Sequence, residues 1–272
     1  MPEGPEIRRE ADAIGRVLIG QPLREIYFEP ARLRPWSKRL QGCEVEAVET
    51  HGKALLTRFS NGLTLYSHNQ LYGRWFVRTS SQAPRTNRTL RVALHTALGS
   101  AFLYSATDVH MFDENELAKH PFLRKLGPDV LDSRLGWRDI AARLAEPGFA
   151  GRALGGLYLD QGFIAGIGNY LRSEILYFAG LRHHHRPRDL ARRQLNQLAR
   201  ATLSVSQRAY EAKGVTVEPG LARTLKSRGL RYSEFRFAVF DRAGEPCRTC
   251  GEVIERVTVT TRRLYYCPTC QS

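Results

Sequence analysis

The chain has 272 residues, 42% apolar and 25% charged, which is room for two domains with cores of their own. Its 41 Lys and Arg against 27 Asp and Glu leave a charge of +14 and favour a polyanionic partner, nucleic acid ahead of a membrane surface. No apolar run approaches the roughly 18–20 residues of a spanning helix, and the acidic start is unlike a signal peptide, so an intracellular protein is expected. Four of the five cysteines crowd the C-terminal end, which argues against a secreted disulfide framework.

The chain starts Met1-Pro2-Glu3-Gly4-Pro5-Glu6. Removal of Met1 exposes Pro2, whose secondary amine is a nucleophile when unprotonated, and an α-amino group titrates near pH 8, roughly. Pro5 suits a first helical turn and Glu6 complements its positive end. Ile7, Ile14, Val17 and Leu18 continue at helical spacing. A helix starting so close to Pro2 disfavours the ammonium form, while the Glu3 anion pulls the other way or acts as an acid beside it. The plain alternative is an ordinary helix start.

After Gly20-Gln21-Pro22 the pattern turns to short strands: 23–28, 45–50, 54–59, 63–67, 75–78, 90–94 and 101–105. Ser60-Asn61-Gly62 signals a hairpin, and seven or so strands in about 80 residues predict a β-sandwich or barrel. The stretch 120–137, with Pro121, Gly127, Pro128 and Gly136, reads as a linker. Helical patterns follow over 138–145, 153–159, 169–178 and 189–210. The Lys-, Arg- and Gly-rich 211–232 reads as a mobile basic loop, and 235–240 as a strand leading into the cysteines.

The most specific motif is Cys247-x2-Cys250 and Cys267-x2-Cys270, sixteen residues apart, a spacing suited to one structural zinc ion held by four thiolates. Two disulfides are the alternative. The residues between the pairs read as a hairpin carrying Arg256, Arg262 and Arg263, either a nucleic-acid-binding tip or a solvated face. Thr50-His51-Gly52-Lys53 lifts a lysine to the head of an apolar strand, where an exposed turn lysine is the ordinary reading. Ser67 to Gly73 is a polar loop whose Leu71 and Tyr72 are either wedges between bases or a buried strand end. The segment Asp160 to Arg172 holds Gly166 and Gly168 and places Asn169 as the N-cap of a helix whose free amides suit phosphate. A ligand-free helical corner is the alternative, and Cys43 reads as packing.

Taken in this order, Pro2-Glu3-Gly4-Pro5-Glu6, Gly52-Lys53, the segment around Gly166–Leu171 and the four-cysteine hairpin resemble the bifunctional DNA glycosylases related to formamidopyrimidine-DNA glycosylase, from Pro2 to Gln271. Gln70-Leu71-Tyr72 looks like the bacterial endonuclease VIII branch. The purine-directed branch places a methionine in this loop, and here the only methionines are Met1 and Met111.

The resemblance implies an α+β chain: an N-terminal β-sandwich with a leading helix (1–125), a helix–two-turn–helix domain (126–232) and a zinc finger (233–272). It implies Pro2 as Schiff-base nucleophile, Glu3 as the group moving protons, Lys53 on phosphate, and Arg262 in the last step of β,δ-elimination. Gln70, Leu71 and Tyr72 fill the gap left by a flipped base, and Lys125 and Asn169 contact DNA. The expected partner is double-stranded DNA with damaged bases or abasic sites, met by a cytoplasmic, nucleoid-associated monomer that removes oxidised pyrimidines. Oxidised purines are the alternative substrate, a non-catalytic damage-binding zinc protein the alternative class, and an RNA-binding module a third. Arg263 follows Arg262 directly, so either serves the phosphate role, and 211–232 is longer and more basic than the branch leads one to expect.

Overall fold

The structure, a computed structural model, describes residues 2–272; Met1 and its removal lie outside the described residues. The chain forms two compact units, one of Pro2 with Glu6–Lys125 and one of Glu3–Pro5 with Leu126–Ser272.

In the first unit, helix α1 (Gly4–Leu18) precedes strand β1 (Glu25–Phe28), helix α2 (Trp36–Leu40) and strands β2 (Val45–His51), β3 (Ala54–Phe59), β4 (Thr64–His68), β5 (Arg74–Arg78), β6 (Leu90–His95), β7 (Ser100–Tyr104) and β8 (Asp108–Phe112), with helix α3 (Glu114–Ala118) after them. Two four-stranded sheets result, ordered β1-β6-β7-β5 and β2-β3-β4-β8, antiparallel throughout. Alternation along each strand sends one set of side chains between the sheets. Leu55, Phe59, Leu65, Val109 and Met111 meet Phe28, Trp75, Val92, Leu94 and Leu103 there, and α1 adds Ile7, Ala11, Ile14 and Leu18 at helical spacing. Leu56 and Tyr66 face the other way, against Leu117 of α3.

The sandwich and leading helix match the sequence reading, and Gly62 N–H bonds the Phe59 carbonyl in the expected hairpin. Strand β8 was not foreseen, because Asp108 and His110 interrupt its apolar pattern; pairing with β4 makes it a strand. Cys43 is half-buried, its thiol toward the Arg39 carbonyl at 3.4 Å, and does not pack in the core.

The second unit contains α4 (Trp137–Ala145), α5 (Pro147–Ala150), α6 (Leu154–Leu157), α7 (Asn169–Ala179), α8 (Arg192–Glu211), α9 (Pro219–Ser227), α10 (Tyr232–Phe235) and the hairpin β9 (Glu255–Val259) with β10 (Arg262–Tyr266). The helices and the hairpin share one core: Leu264, with Val257, Val259 and Tyr266 against it, packs among Leu171, Ile175, Leu198 and Val205. The stretch read as a linker is tied down in its second half, where Gly127 and Val130 N–H groups bond the Gln161 and Ala165 carbonyls.

Two expectations are corrected here. Residues 211–232 are not a mobile loop: Pro219 starts α9, Leu221 and Ala222 lie against Val215, Val217 and Ala238, and Leu225 of the same helix is buried. The short apolar stripe was masked in the sequence by the basic residues around it. Residues 235–240 are not a strand, because the N–H groups of Ala238, Val239 and Phe240 all donate to the buried Glu174 carboxylate at 2.8 Å. The Thr216 hydroxyl is a fourth donor to that carboxylate. Four donors compensate its burial inside α7, and the chain after α10 is shaped around it.

Candidate functional site

In the second unit the site is built on the N-terminus of α7. The first amides of a helix lack intrahelical partners and carry partial positive charge. Here an acid from far away in sequence takes them. The Glu3 carboxylate, 3% exposed, accepts from Gly168 N–H at 2.8 Å, Tyr170 N–H at 2.9 Å and Leu171 N–H at 3.2 Å. Gly4 N–H adds a bond to the Gly166 carbonyl at 2.8 Å. Gly168 is required by close approach, since a Cβ there overlaps the Glu3 carboxylate. Three N–H donors favour the anion.

This overturns two expectations. Asn169 is not the N-cap: Gly168 holds that position and Asn169 is the first helical residue. The amides expected to be open to phosphate are occupied by Glu3. Asn169 instead points to the hairpin, its amide donating to the Arg263 carbonyl at 2.8 Å while its oxygen accepts from Arg172 at 2.6 Å.

Arg172, which closes the Asp160 to Arg172 segment, has no role in the sequence reading. Fully buried, it donates to the carbonyls of Gly155 at 2.8 Å and Arg263 at 3.1 Å as well as to Asn169. Burial pulls it down to about 10, with the Glu3 charge opposing and the Arg262 charge adding to the shift. The available signal was an arginine and a glutamate, Arg172 and Glu174, flanked by Tyr170-Leu171 and Ile175-Leu176 in one helical run.

The hairpin turn is Thr260-Thr261, both at positive φ, +49° and +66°, between paired Val259 and Arg262. Two β-branched residues are held in a conformation that asparagine and glycine usually supply. Arg262 and Arg263 are both exposed. By strand alternation Arg262 shares a face with Leu264, which is buried in the helical core, whereas Arg263 shares one with Tyr265, which packs by the cysteines.

The four thiols lie within 4.8 Å of one another, with Cys250–Cys267 at 3.4 Å and Cys247–Cys270 at 3.8 Å. A tetrahedron of thiolates about 2.3 Å from a zinc ion has edges of about 3.8 Å, so the set fits one structural zinc. Among the described residues no two cysteines form a disulfide. Burial raises the Cys247 thiol, but bonds from the Tyr177 hydroxyl and the Cys250 and Thr249 amides outweigh it and bring it to about 6.

In the first unit, Lys53 heads β3 and is only 9% exposed, which excludes an ordinary solvated turn lysine. Its charge reaches His68 at the end of β4. Burial holds that imidazole below its ordinary value, with Asp108 opposing and Lys53 adding to the effect. The neutral ring accepts the Gln70 N–H at Nδ1, 3.1 Å away. Gln70 has φ +51°, and its side-chain oxygen accepts from the Thr107 hydroxyl at 2.9 Å. Leu71 and Tyr72 are 61% and 70% exposed, so they are not a buried strand end. Lys125 is exposed at the end of the 3-10 turn Leu123–Lys125, and no bond among the described residues draws it toward this group.

A braced apolar loop tip, an anion-capped helix start and a basic hairpin on a four-thiol metal site define a zinc-hairpin protein suited to distorted nucleic acid. Three family models match consecutive parts of the chain: the formamidopyrimidine-DNA glycosylase N-terminal domain over residues 1–115, its H2TH domain over 126–219, and the zinc finger found in FPG and IleRS over 244–272. Endonuclease 8 of Salmonella paratyphi B is 49% identical over 271 residues, covering 100% of both chains, and that of Salmonella paratyphi A is 48% identical with the same coverage. A crystal structure of Lactococcus lactis Fpg with DNA containing an abasic site shares the fold at a TM-score of 0.79 and 20% identity, covering 99% of each chain. The chain belongs to the formamidopyrimidine-DNA glycosylase family, whose members are DNA glycosylases and abasic-site lyases. Among the described residues no helix is long and apolar enough to cross a membrane.

Proposed function

We propose that this enzyme removes oxidised pyrimidines from duplex DNA through a Schiff base on Pro2 and then opens the strand by β,δ-elimination. The observation that carries the reading is Glu3, a buried carboxylate held by three amides and joined directly to Pro2. A carboxylate fixed as an anion favours a cation close by, which suits the iminium that follows attack on the sugar.

The Pro2 amine attacks C1′ of the flipped nucleotide, the bond to the base breaks, and the base leaves with a proton. Loss of the amine proton with ring opening gives the iminium. It draws electrons from C2′–H cleavage to expel the 3′ phosphate, and a second proton loss expels the 5′ phosphate. Water then hydrolyses the iminium and frees Pro2. Glu3 accepts and returns these protons, Lys53 meets a phosphate, and Arg262 stabilises the phosphate leaving last. The Arg262 charge lies near enough to the buried Arg172 to repel it, and two cations gathered there favour Arg262 over Arg263 as the group that meets a phosphate.

Leu71 and Tyr72 enter the stack where the base has left, Gln70 lines the gap, and Lys125 and Asn169 grip the backbone. Bound at the four cysteines, zinc supplies no chemistry of its own; the thiolates hold the hairpin that presents Arg262. The near-50% relationship to Endonuclease 8 favours pyrimidine over purine lesions, and a cytoplasmic, nucleoid-bound enzyme follows from the partner. Borohydride trapping on duplexes carrying an oxidised pyrimidine or 8-oxoguanine tests the reading. A covalent adduct formed faster with the pyrimidine is expected. Preferential trapping on 8-oxoguanine reassigns the substrate, and no adduct on either leaves a DNA-binding protein without this chemistry.

A further inference from the structure

The loop that carries Gln70, Leu71 and Tyr72 joins β4 of one sheet to β5 of the other, so it is a corner of the sandwich. A corner between sheets has no ladder partner to fix it, yet this one must hold two exposed apolar side chains out into solvent. One carboxylate spans its two ends. Glu10 of α1 accepts from the Asn69 side-chain amide at 2.7 Å, at the loop's entry, and from the backbone N–H of Trp75, at its exit. Asn69 is 3% exposed. Its carbonyl accepts Gly73 N–H at 2.7 Å, closing the loop on itself. A Cβ at Gly73 comes within 2.6 Å of that carbonyl oxygen, so the closure requires glycine. The Trp75 indole N–H also reaches back to Ser67 at 3.2 Å.

We propose that Glu10 is a positioning residue for the Leu71–Tyr72 wedge, acting through Asn69 and the Trp75 amide. The proposal rests on the reading of this loop as the element that enters the DNA stack. Both groups facing the carboxylate are donors, so the anion offers them two acceptor oxygens where a neutral amide offers one. Burial raises the Glu10 carboxyl to about 7, while Asn69, Arg74 and the Trp75 amide favour its charge and Glu6 opposes it. The core of the first unit does not need a carboxylate at this place. What the carboxylate provides is a link from a rigid helix to both ends of a loop that has to push between bases.

The test compares two substrates at about pH 8.5, where the carboxyl is ionised. One is a duplex with an oxidised pyrimidine, which has to be unstacked. The other is a single strand with a preformed abasic site, where there is no stack to enter. Glu10→Gln removes the charge, leaves one acceptor oxygen for two donors and should slow duplex excision about tenfold, while cleavage of the single strand changes less than about twofold. Adding Leu71→Ala to Glu10→Gln should cost less than about twofold more, because a displaced wedge has little left to lose. The reciprocal pair Glu10→Gln with Asn69→Asp restores an amide facing a carboxylate and should recover most of the duplex rate; it also serves if the single variant folds poorly. Equal losses on both substrates, or full additivity with Leu71→Ala, overturn the assignment. If Leu71→Ala alone leaves duplex excision unchanged, the wedge reading fails and the role of Glu10 falls with it.

Discussion

Replacing Glu3 should loosen the start of α7 before it is asked to do any chemistry. In Glu3→Gln, an amide oxygen in the place of Oε2 keeps the Gly168 and Leu171 bonds, while the NH2 group confronts Tyr170 N–H. The loss is one bond to a buried donor, about 1–3 kcal/mol, together with the attraction of the charge to the helix end, at most about 2 kcal/mol. A total of about 1–5 kcal/mol corresponds to roughly 5- to 5,000-fold in the local opening equilibrium. Glu3→Ala leaves all three amides without the carboxylate and should go further, to about 4–6 kcal/mol. Native-state hydrogen exchange at the Gly168, Tyr170 and Leu171 amides reads this directly, without reference to catalysis. Protection should fall in the order wild type, glutamine, alanine, with amides in the middle of α8 much less affected. Exchange at the three amides within about twofold of wild type in both variants would refute the capping argument, and with it the view that Glu3 is held as an anion.

Four further outcomes follow from the same geometry. A residue retained before Pro2 turns its amine into an amide, so base excision and borohydride trapping should vanish while DNA affinity is kept; full activity in a verified extended protein rejects the Schiff base. Purified protein should contain about one zinc per chain, and Cys250→Ser should lower metal content and DNA affinity together; zinc-free native protein that binds DNA normally contradicts the assignment. Arg262→Ala should shift products from a β,δ-eliminated gap toward a β-eliminated end by gel analysis, and the same shift in Arg263→Ala instead moves the role by one residue. The Glu10 carboxyl, raised by burial from 4.5 to about 7, makes the folded state bind more protons than the unfolded state between those values. Its contribution to stability is therefore present below 4.5 and lost as pH rises through about 7, and denaturation of Glu10→Gln should lack that part of the slope.

Local chemistry in the chain determined most of the plan. Alternation gave away the sandwich because each inner strand face has to be apolar, and the spacing of Cys247, Cys250, Cys267 and Cys270 suits a single ion whatever surrounds it. The N-terminal motif, Lys53 and the Leu71–Tyr72 tip each had an ordinary structural reading and pointed to a site only as a set in one order, and it took the fold to show Lys53 buried and Leu71 and Tyr72 exposed. What tertiary structure alone decided is where buried charge finds its partners. Glu3 caps a helix that begins 166 residues later, at Asn169, and a motif read along the chain assigned that duty to the nearest polar residue, Asn169 itself. Glu174 draws residues 238–240 out of the strand their apolar pattern suggested, and packed Leu221 and Ala222 with buried Leu225 order a segment whose basic composition looked mobile. In each case a polar group taken out of water had to be satisfied, or a small apolar face covered, by residues distant in sequence. Periodicity carries no information about such partners, because it records only which face is apolar and not which donor or acceptor the fold will bring to it.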